Sequence, residues 1–374
     1  MADIKTMLEQ FKDISDNPQK LMQEYLAAGE KVIACLPIYT PQPLVAAAGM
    51  VPMGIWGGRC NPQVAGKYAP IFTCSILRSC LEFGMTGVYD GVSAVLMPII
   101  CDTFRGMNSA WRAGVKQIPP ITFIYPQNRK DPGAVDFLLG ELKAVKAQLE
   151  KIAGKEITNV ELQAAVNLYN RKNAVMREFC KVANEHLDVV KPVDRHHVMK
   201  AATFLKAEKT IELVSELTAA LKKEPVCKWK GKKVILSGIT CEPDEILYAM
   251  AENNVAVVGD DLAQESRQYR SDYPAACSAL ESLALHWFAI KGCSCAHDDN
   301  NYARGDLLVR MAEETGADCV ILCMMRFCEI EEYDQPSVLK RVEEAGLMNF
   351  SMDIDQSTSE SGQALTKIQA YAEN

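Results

Sequence analysis

SAVLMPIICDTFRGMNSAWRAG, residues 93–114, starts as an unbroken apolar run and turns at Cys101 and Asp102 into a charged, amphipathic stretch. A short apolar run bounded by polar punctuation reads as a strand buried on both faces, and a helix is expected after it, around MNSAWRAG (107–114) here and QPSVLKRVEEAG (335–346) near the other end. The pair is therefore a strand–helix unit. The unit recurs near the other end of the chain, where DCVILCMMRFCEIEEYD, residues 318–334, carries an apolar run to Cys328 and then into Glu329, Glu331 and Glu332.

Outward from the first unit, KVIACLP, VPMGIWG and ITFIYP read as further strands. PQPLVAAAG and CSILRSCLEFGMTGVYD read as helices between them. Strands alternating with helices predict a parallel sheet covered on both faces. From about residue 133 to 224 the period changes to long amphipathic stretches with charges of alternating sign, which predicts a helical insert. After KEPVCKWKGKK the first rhythm returns with KVILSG, VAVVGD, CVILCMM and NFSMDID as strands. The expected fold class is α/β, with two Rossmann-like parallel-sheet domains, 1–132 and 227–374, flanking a helical middle segment, 133–226. The two halves share one logic, so a pseudo-twofold pair of sheets is expected, with ligands beyond the carboxyl ends of the strands. Cys101 and Cys328 fall at those ends, one in each half.

At 374 residues the chain is long enough for more than one core. A net charge of −8 excludes the clustered basic face of a nucleic-acid binder. The most apolar window, residues 43–58, is too short to span a bilayer and is interrupted by Pro52 and glycines. The first 29 residues read as an amphipathic helix and not as a signal peptide, so a cytoplasmic protein is expected. Fourteen cysteines in a reducing compartment are buried small hydrophobes or ligands rather than disulfides. Cys293 and Cys295, in GCSCAH, have the wrong spacing for a zinc knuckle.

The usual phosphate cradles are absent. Gly238, ahead of PDEI, reads as an ordinary strand-to-helix turn more readily than as an anion site. The adjacent His196 and His197 point in different directions from a helix and are poor joint ligands, and His297 stands alone. No hydrolytic triad signature is present. Three cysteines have a different setting: Cys74 opens a helix, where a thiolate gains from the N-terminal dipole, while Cys101 and Cys328 end strands beside charge. Soft thiolates drawn from separate parts of a chain suit an iron–sulfur cluster, and three of them leave one iron of a cubane open.

Over nearly its whole length the chain resembles the smaller, β subunit of the 2-hydroxyacyl-CoA dehydratases of anaerobic bacteria, the lactoyl-, phenyllactoyl-, 2-hydroxyisocaproyl- and 2-hydroxyglutaryl-CoA enzymes. The stretches that carry the resemblance are PIYTPQPLVAAAGMVPMGIWGG, FTCSILRSCLE, CDTFRG, YPQNRK, GDDLAQESRQYR, CMMRFCEIEEYD and DIDQ. It implies a [4Fe–4S] cluster at the domain interface on Cys74, Cys101 and Cys328, with Cys80, Cys323 and Cys319 as reserve choices. The family's FCDPEE is FCEIEEYD here, with Ile330 in place of proline, which bears on the local turn more than on the ligand. The resemblance further implies a larger α subunit as heterodimer partner, a separate ATP-dependent iron–sulfur activator, and dehydration of (R)-2-hydroxyacyl-CoA to (E)-2-enoyl-CoA through a ketyl radical, as in amino-acid fermentation. A benzoyl-CoA reductase-like or double-cubane reductase subunit, and a non-catalytic electron relay or scaffold, are the alternatives. Flavin binding and the identity of the acyl group are left open by the sequence. Glu242, Arg105, Arg129 and Arg267 are expected near strand ends in ion pairs or other structural roles.

Overall fold

The computed structural model describes residues 3–296, 300–356 and 361–373. The expected rhythm is present. The first part runs α1 (Ile4–Asp16), α2 (Pro18–Ala27), β1 (Val32–Cys35), α3 (Gln42–Ala47), β2 (Val51–Gly54), α4 (Ser75–Met85), β3 (Ala94–Ile99), α5 (Asp102–Gly114) and β4 (Pro120–Ile124). Four helices follow: α6 (Ala134–Ala153), α7 (Asn159–Ala183), α8 (Pro192–Ala201) and α9 (Ala207–Leu221). The last part runs β5 (Lys232–Gly238), α10 (Glu245–Glu252), β6 (Val255–Leu262), α11 (Ala279–Ala289), α12 (Ala303–Thr315), β7 (Cys319–Met325), α13 (Glu329–Glu344), β8 (Met348–Ile354) and α14 (Gly362–Glu373).

Each half forms a four-stranded sheet, ordered β2-β1-β3-β4 in the first and β6-β5-β7-β8 in the second. All pairings are parallel. The two sheets therefore share one topology, and each reverses direction between its first and third strands. At such a reversal the outgoing helices cover opposite faces and leave a crevice beyond the strand ends. β3 and β7 are the equivalent third strands, so the loops leaving them, which carry Cys101 and Cys328, open onto equivalent crevices.

The helical insert is locally specified. Gly154, at φ +77, closes α6 with a left-handed cap, and Thr158 and Glu161 form a reciprocal capping box at the start of α7. Leu138, Leu142, Leu149 and Leu162 of α6 and α7 join the core of the first sheet. Phe179 of α7 shares another core with Val198 of α8, Leu217 of α9 and Phe11 of α1. Chain order and packing part company at α11, whose Leu283 and Trp287 lie in the core of the first sheet.

Three boundaries differ from the sequence expectation. The N-terminal helix is two helices, because Pro18 at the first turn of α2 cannot continue the hydrogen-bond ladder of α1. The helices after β3 and β7 begin earlier than the apolar periodicity suggests, at Asp102 and Glu329. Acidic residues in a first turn are favoured by the helix dipole, so CDT and CEIEE belong to helix starts and not to loops. No helix among the described residues is long and apolar enough to cross a membrane.

Candidate functional site

Cys74, Cys101 and Cys328 occupy the same kind of position: each is the N-cap residue of a helix, of α4, α5 and α13 respectively. Cys101 and Cys328 thus stand two and three residues beyond the ends of β3 and β7, not within the strands. All three line one partly open recess of about 580 Å3, together with Trp56, Leu77, Phe104 and Cys295. Three helix N-termini converge on it, so the positive ends of three dipoles face the sulfurs.

The loops that bring the cysteines together are held by tight contacts between the resemblance-bearing stretches. Gly57, at φ +71, lets the chain pass where a Cβ would come within 1.9 Å of Ser79 Oγ on α4 and 2.7 Å of Gln356 Nε2. Gln356, the last residue of DIDQ, donates to the Trp56 carbonyl at 2.7 Å. These bonds fix the start of α4 against the end of β8. Gly238 is needed for packing, because a Cβ there would meet the Cys323 carbonyl at 2.2 Å.

No cap hydrogen bond closes on the thiols, yet the first-turn N–H groups act on them. Burial pushes Cys74 up to about 12, partly offset by the N–H of Leu77, and charge on Cys101 raises it further. Burial likewise raises Cys101 and Cys328, and Cys328 is raised further by Glu331, Cys74 and Cys101. Buried, mutually repelling thiols in an apolar recess ionise together only when a multiply positive centre compensates them. Among the described residues, the sets whose donor atoms all lie within 4.8 Å are Asp16–His197–Asp244 and His196–Glu242–Asp244. The three cysteines are not among these sets, so their sulfurs are spread more widely than a single ion requires.

The reserve cysteines lie elsewhere. Cys80 is buried in α4 and directs its thiol toward the Ile55 carbonyl at 3.7 Å. Cys323 lies within β7 against Cys241, and Cys319 opens β7 at the opposite end of the strand. Cys295, set aside at the sequence level on zinc spacing, lines the recess. The signal available for it was the unexplained pair in GCSCAH.

Beside the recess is a buried ion network in which Asp261 receives Arg267 (3.1 Å), Arg270 (2.6 Å) and Arg304 (2.8 Å). Glu331, in the first turn of α13, receives Arg304 at 2.7 Å and Arg267 at 3.4 Å. Burial alone would raise both carboxylic acids, but the guanidinium groups hold them below the usual range. The expected ion pair at Arg267 is thus present. Arg129 donates to the Trp287 and Ile290 carbonyls, a structural role, and Arg105 is exposed on α5.

The two histidines have different nearest partners but share Asp244, which lies 3.8 Å from His196 Nε2 through one oxygen and 2.8 Å from His197 Nε2 through the other. His196 Nδ1 meets Glu265 at 2.8 Å while His197 Nε2 meets Asp244 at 2.8 Å. Lys200 contacts Glu242, which compensates that carboxylate without a metal. His297 lies outside the described residues. Burial disfavours charge on His196, but Glu242 and Glu265 outweigh it and raise its pKa to about 10. Glu265 is pushed up by its own burial, whereas Lys200 and His196 override burial at Glu242 and hold it at about 2. A raised histidine stabilises the fold fully below its unfolded value of about 6.5 and ceases to as pH rises through about 10. Thermal melts between pH 7 and 10 should show a loss on the order of 2 kcal/mol that His196→Gln flattens. Equal slopes in the two proteins would remove the imidazolium from the network.

The family model described as "2-hydroxyglutaryl-CoA dehydratase, D-component" matches residues 37–374. The chain is 40% identical to the lactoyl-CoA dehydratase subunit beta of Anaerotignum propionicum, covering 100% of both chains. It is 37% identical to the (R)-phenyllactyl-CoA dehydratase beta subunit of Clostridium sporogenes, again over 100% of both. Identity to the (R)-2-hydroxyglutaryl-CoA dehydratase subunit beta of Acidaminococcus fermentans is 36%, over 99% of each. With a family match across most of its length and full-length relatives above one-third identity, the chain belongs to the 2-hydroxyglutaryl-CoA dehydratase D-component family, and so to the hydro-lyases.

Proposed function

We propose that the chain is the β subunit of an oxygen-sensitive (R)-2-hydroxyacyl-CoA dehydratase, holding a [4Fe–4S] cluster on Cys74, Cys101 and Cys328. The observation that carries this reading is the meeting of three helix-capping thiols in one apolar recess. When bound, such a cluster supplies low-potential one-electron chemistry. The residues of this chain do the rest: the helix N-termini favour sulfur anions, and Trp56, Leu77 and Phe104 keep water from the recess.

The reaction has a physical need for an electron, because the β-proton of a 2-hydroxyacyl thioester is barely acidic. One electron on the thioester carbonyl gives a ketyl radical that expels the 2-hydroxyl and acidifies the β-proton. After that proton leaves, the electron is recovered with (E)-2-enoyl-CoA as product. An ATP-dependent activator delivers the electron, and a larger α subunit carries most of the substrate site. Ile71 (75% exposed) and Phe72 (65%), just ahead of Cys74, and Phe327 (44%), which lines the recess, offer that subunit an apolar rim.

The test is anaerobic co-expression with the neighbouring larger subunit, then assay of 2-hydroxyacyl-CoA esters with and without ATP and activator. Enoyl-CoA formed only in their presence is expected, with about four irons per chain. About twice that iron, with net reduction of the thioester, would replace this reading with that of a double-cubane reductase. A colourless, iron-free chain would end it.

A further inference from the structure

A second partly open pocket, also of about 580 Å3, shares a wall with the cysteine recess. The wall is the turn that leaves β1: Ile38 lines the recess and Tyr39 lines the pocket. Both have positive φ, +57 and +63, a backbone form that is an outlier for a β-branched or bulky side chain. The turn is held in place, because the Tyr125 hydroxyl donates to the Tyr39 carbonyl and the Tyr39 hydroxyl donates to Cys293 Sγ at 2.8 Å.

The pocket contains one buried cation. Lys172 of α7 lines it, is 2% exposed, and donates to the Ala202 carbonyl at 2.7 Å. That bond uses one of the three N–H groups of the ammonium. The rings of Tyr169 and Tyr269, each 5.6 Å from the nitrogen, add cation–π attraction but no negative charge. Among the described residues no carboxylate lies within 4.0 Å of the nitrogen; Glu208, which acts on it through space, is exposed. Cys35 nearby stays a neutral thiol, since burial raises it to about 12. Burial therefore lowers Lys172, to about 8, and leaves it charged at neutrality. A second donor is idle: the Tyr269 hydroxyl is buried and has no hydrogen-bond partner among the described residues. A buried charge is costly unless it is paired.

We infer that this pocket binds a small organic monocarboxylate, with its anion on Lys172 and the Tyr269 hydroxyl and its apolar part against Pro41, Leu283 and the tyrosine rings. His286, also in the lining, is lowered to about 4 by burial and adds no charge. One cation selects one negative charge, which disfavours the multiply charged phosphates of a coenzyme, and the aromatic walls favour an organic acid over an inorganic anion. The site uses none of the recess cysteines, so it stands whether or not the cluster reading does.

Calorimetric titration of the full-length chain, purified anaerobically, with acetate, isovalerate and phenylacetate tests this. Saturable one-to-one binding of at least one acid is expected, with none for isovaleramide, which lacks the charge, or for inorganic phosphate. Lys172→Met should weaken the acid at least about 10-fold and Tyr269→Phe about 3- to 10-fold. Removing a hydroxyl that bonds nothing leaves the fold intact, so the tyrosine variant decides even where Lys172→Met fails to fold. The inference is overturned by any of four results: no saturable binding of the three acids, equal binding of the amide, tighter binding of phosphate, or unchanged affinity in Tyr269→Phe.

Discussion

Replacing Cys101 with alanine is expected to lower turnover by at least about 10^3-fold while the chain still folds and assembles with its partner. Cys101 is half-buried at the cap of α5 and makes no cap hydrogen bond, so loss of its sulfur costs the fold about 1 kcal/mol or less. What it removes is one of three donors that reach the recess from separate strand–helix units. Iron content, visible absorption and size-exclusion elution, read beside activity, separate the outcomes. A chain that serves only as scaffold would retain turnover with Cys101→Ala, and that result would remove the cluster from the mechanism.

Glu331→Gln is expected to destabilise the fold by about 3–5 kcal/mol, the cost of leaving buried charge without its partner. Glu331 is 1% exposed and faces Arg304 and Arg267; without its charge, Asp261 and Asp334 leave two carboxylates for the three guanidinium groups of Arg267, Arg270 and Arg304. Glutamine keeps the shape and can still accept from Ser294, so the loss reports the charge. The sign with pH follows from the lowered pKa: the contribution is present above the unfolded value of about 4.3 and lost as pH falls through the folded one. Urea midpoints should therefore converge for the two proteins in acid and separate near neutrality. A difference independent of pH would mean that packing, and not the ion pair, is what the substitution disturbs. Because Glu331 also anchors Ser294, the variant should loosen the loop bearing Cys295.

Much of this was legible from particular residues. SAVLMPII and CVILCMM announce buried parallel strands, since an apolar run of that length bounded by charge has few other places to go. Their assignment as third strands of two like sheets was not legible, because strand order depends on pairings between runs far apart in sequence. The N-terminal segment was misread as one helix although Pro18 was in plain view; amphipathic periodicity continues across the break and masks it. Cys74 was placed at a helix start from sequence alone, whereas Cys101 and Cys328 were read as strand ends. The residues that follow them, Asp102 and Glu329, look like loop and are favourable first-turn acids.

The chain by itself determined the α/β rhythm, the helical insert and the kind of chemistry its cysteines suit, because periodicity, turn residues and ligand softness are properties of neighbours along the sequence. Only the tertiary structure decided that residues 74, 101, 295 and 328 share one recess while Cys80, Cys319 and Cys323 do not. That choice rests on two parallel sheets of one topology whose third strands lead into the same recess, and on a buried set of arginines and carboxylates that draws the 292–296 loop to the start of α13.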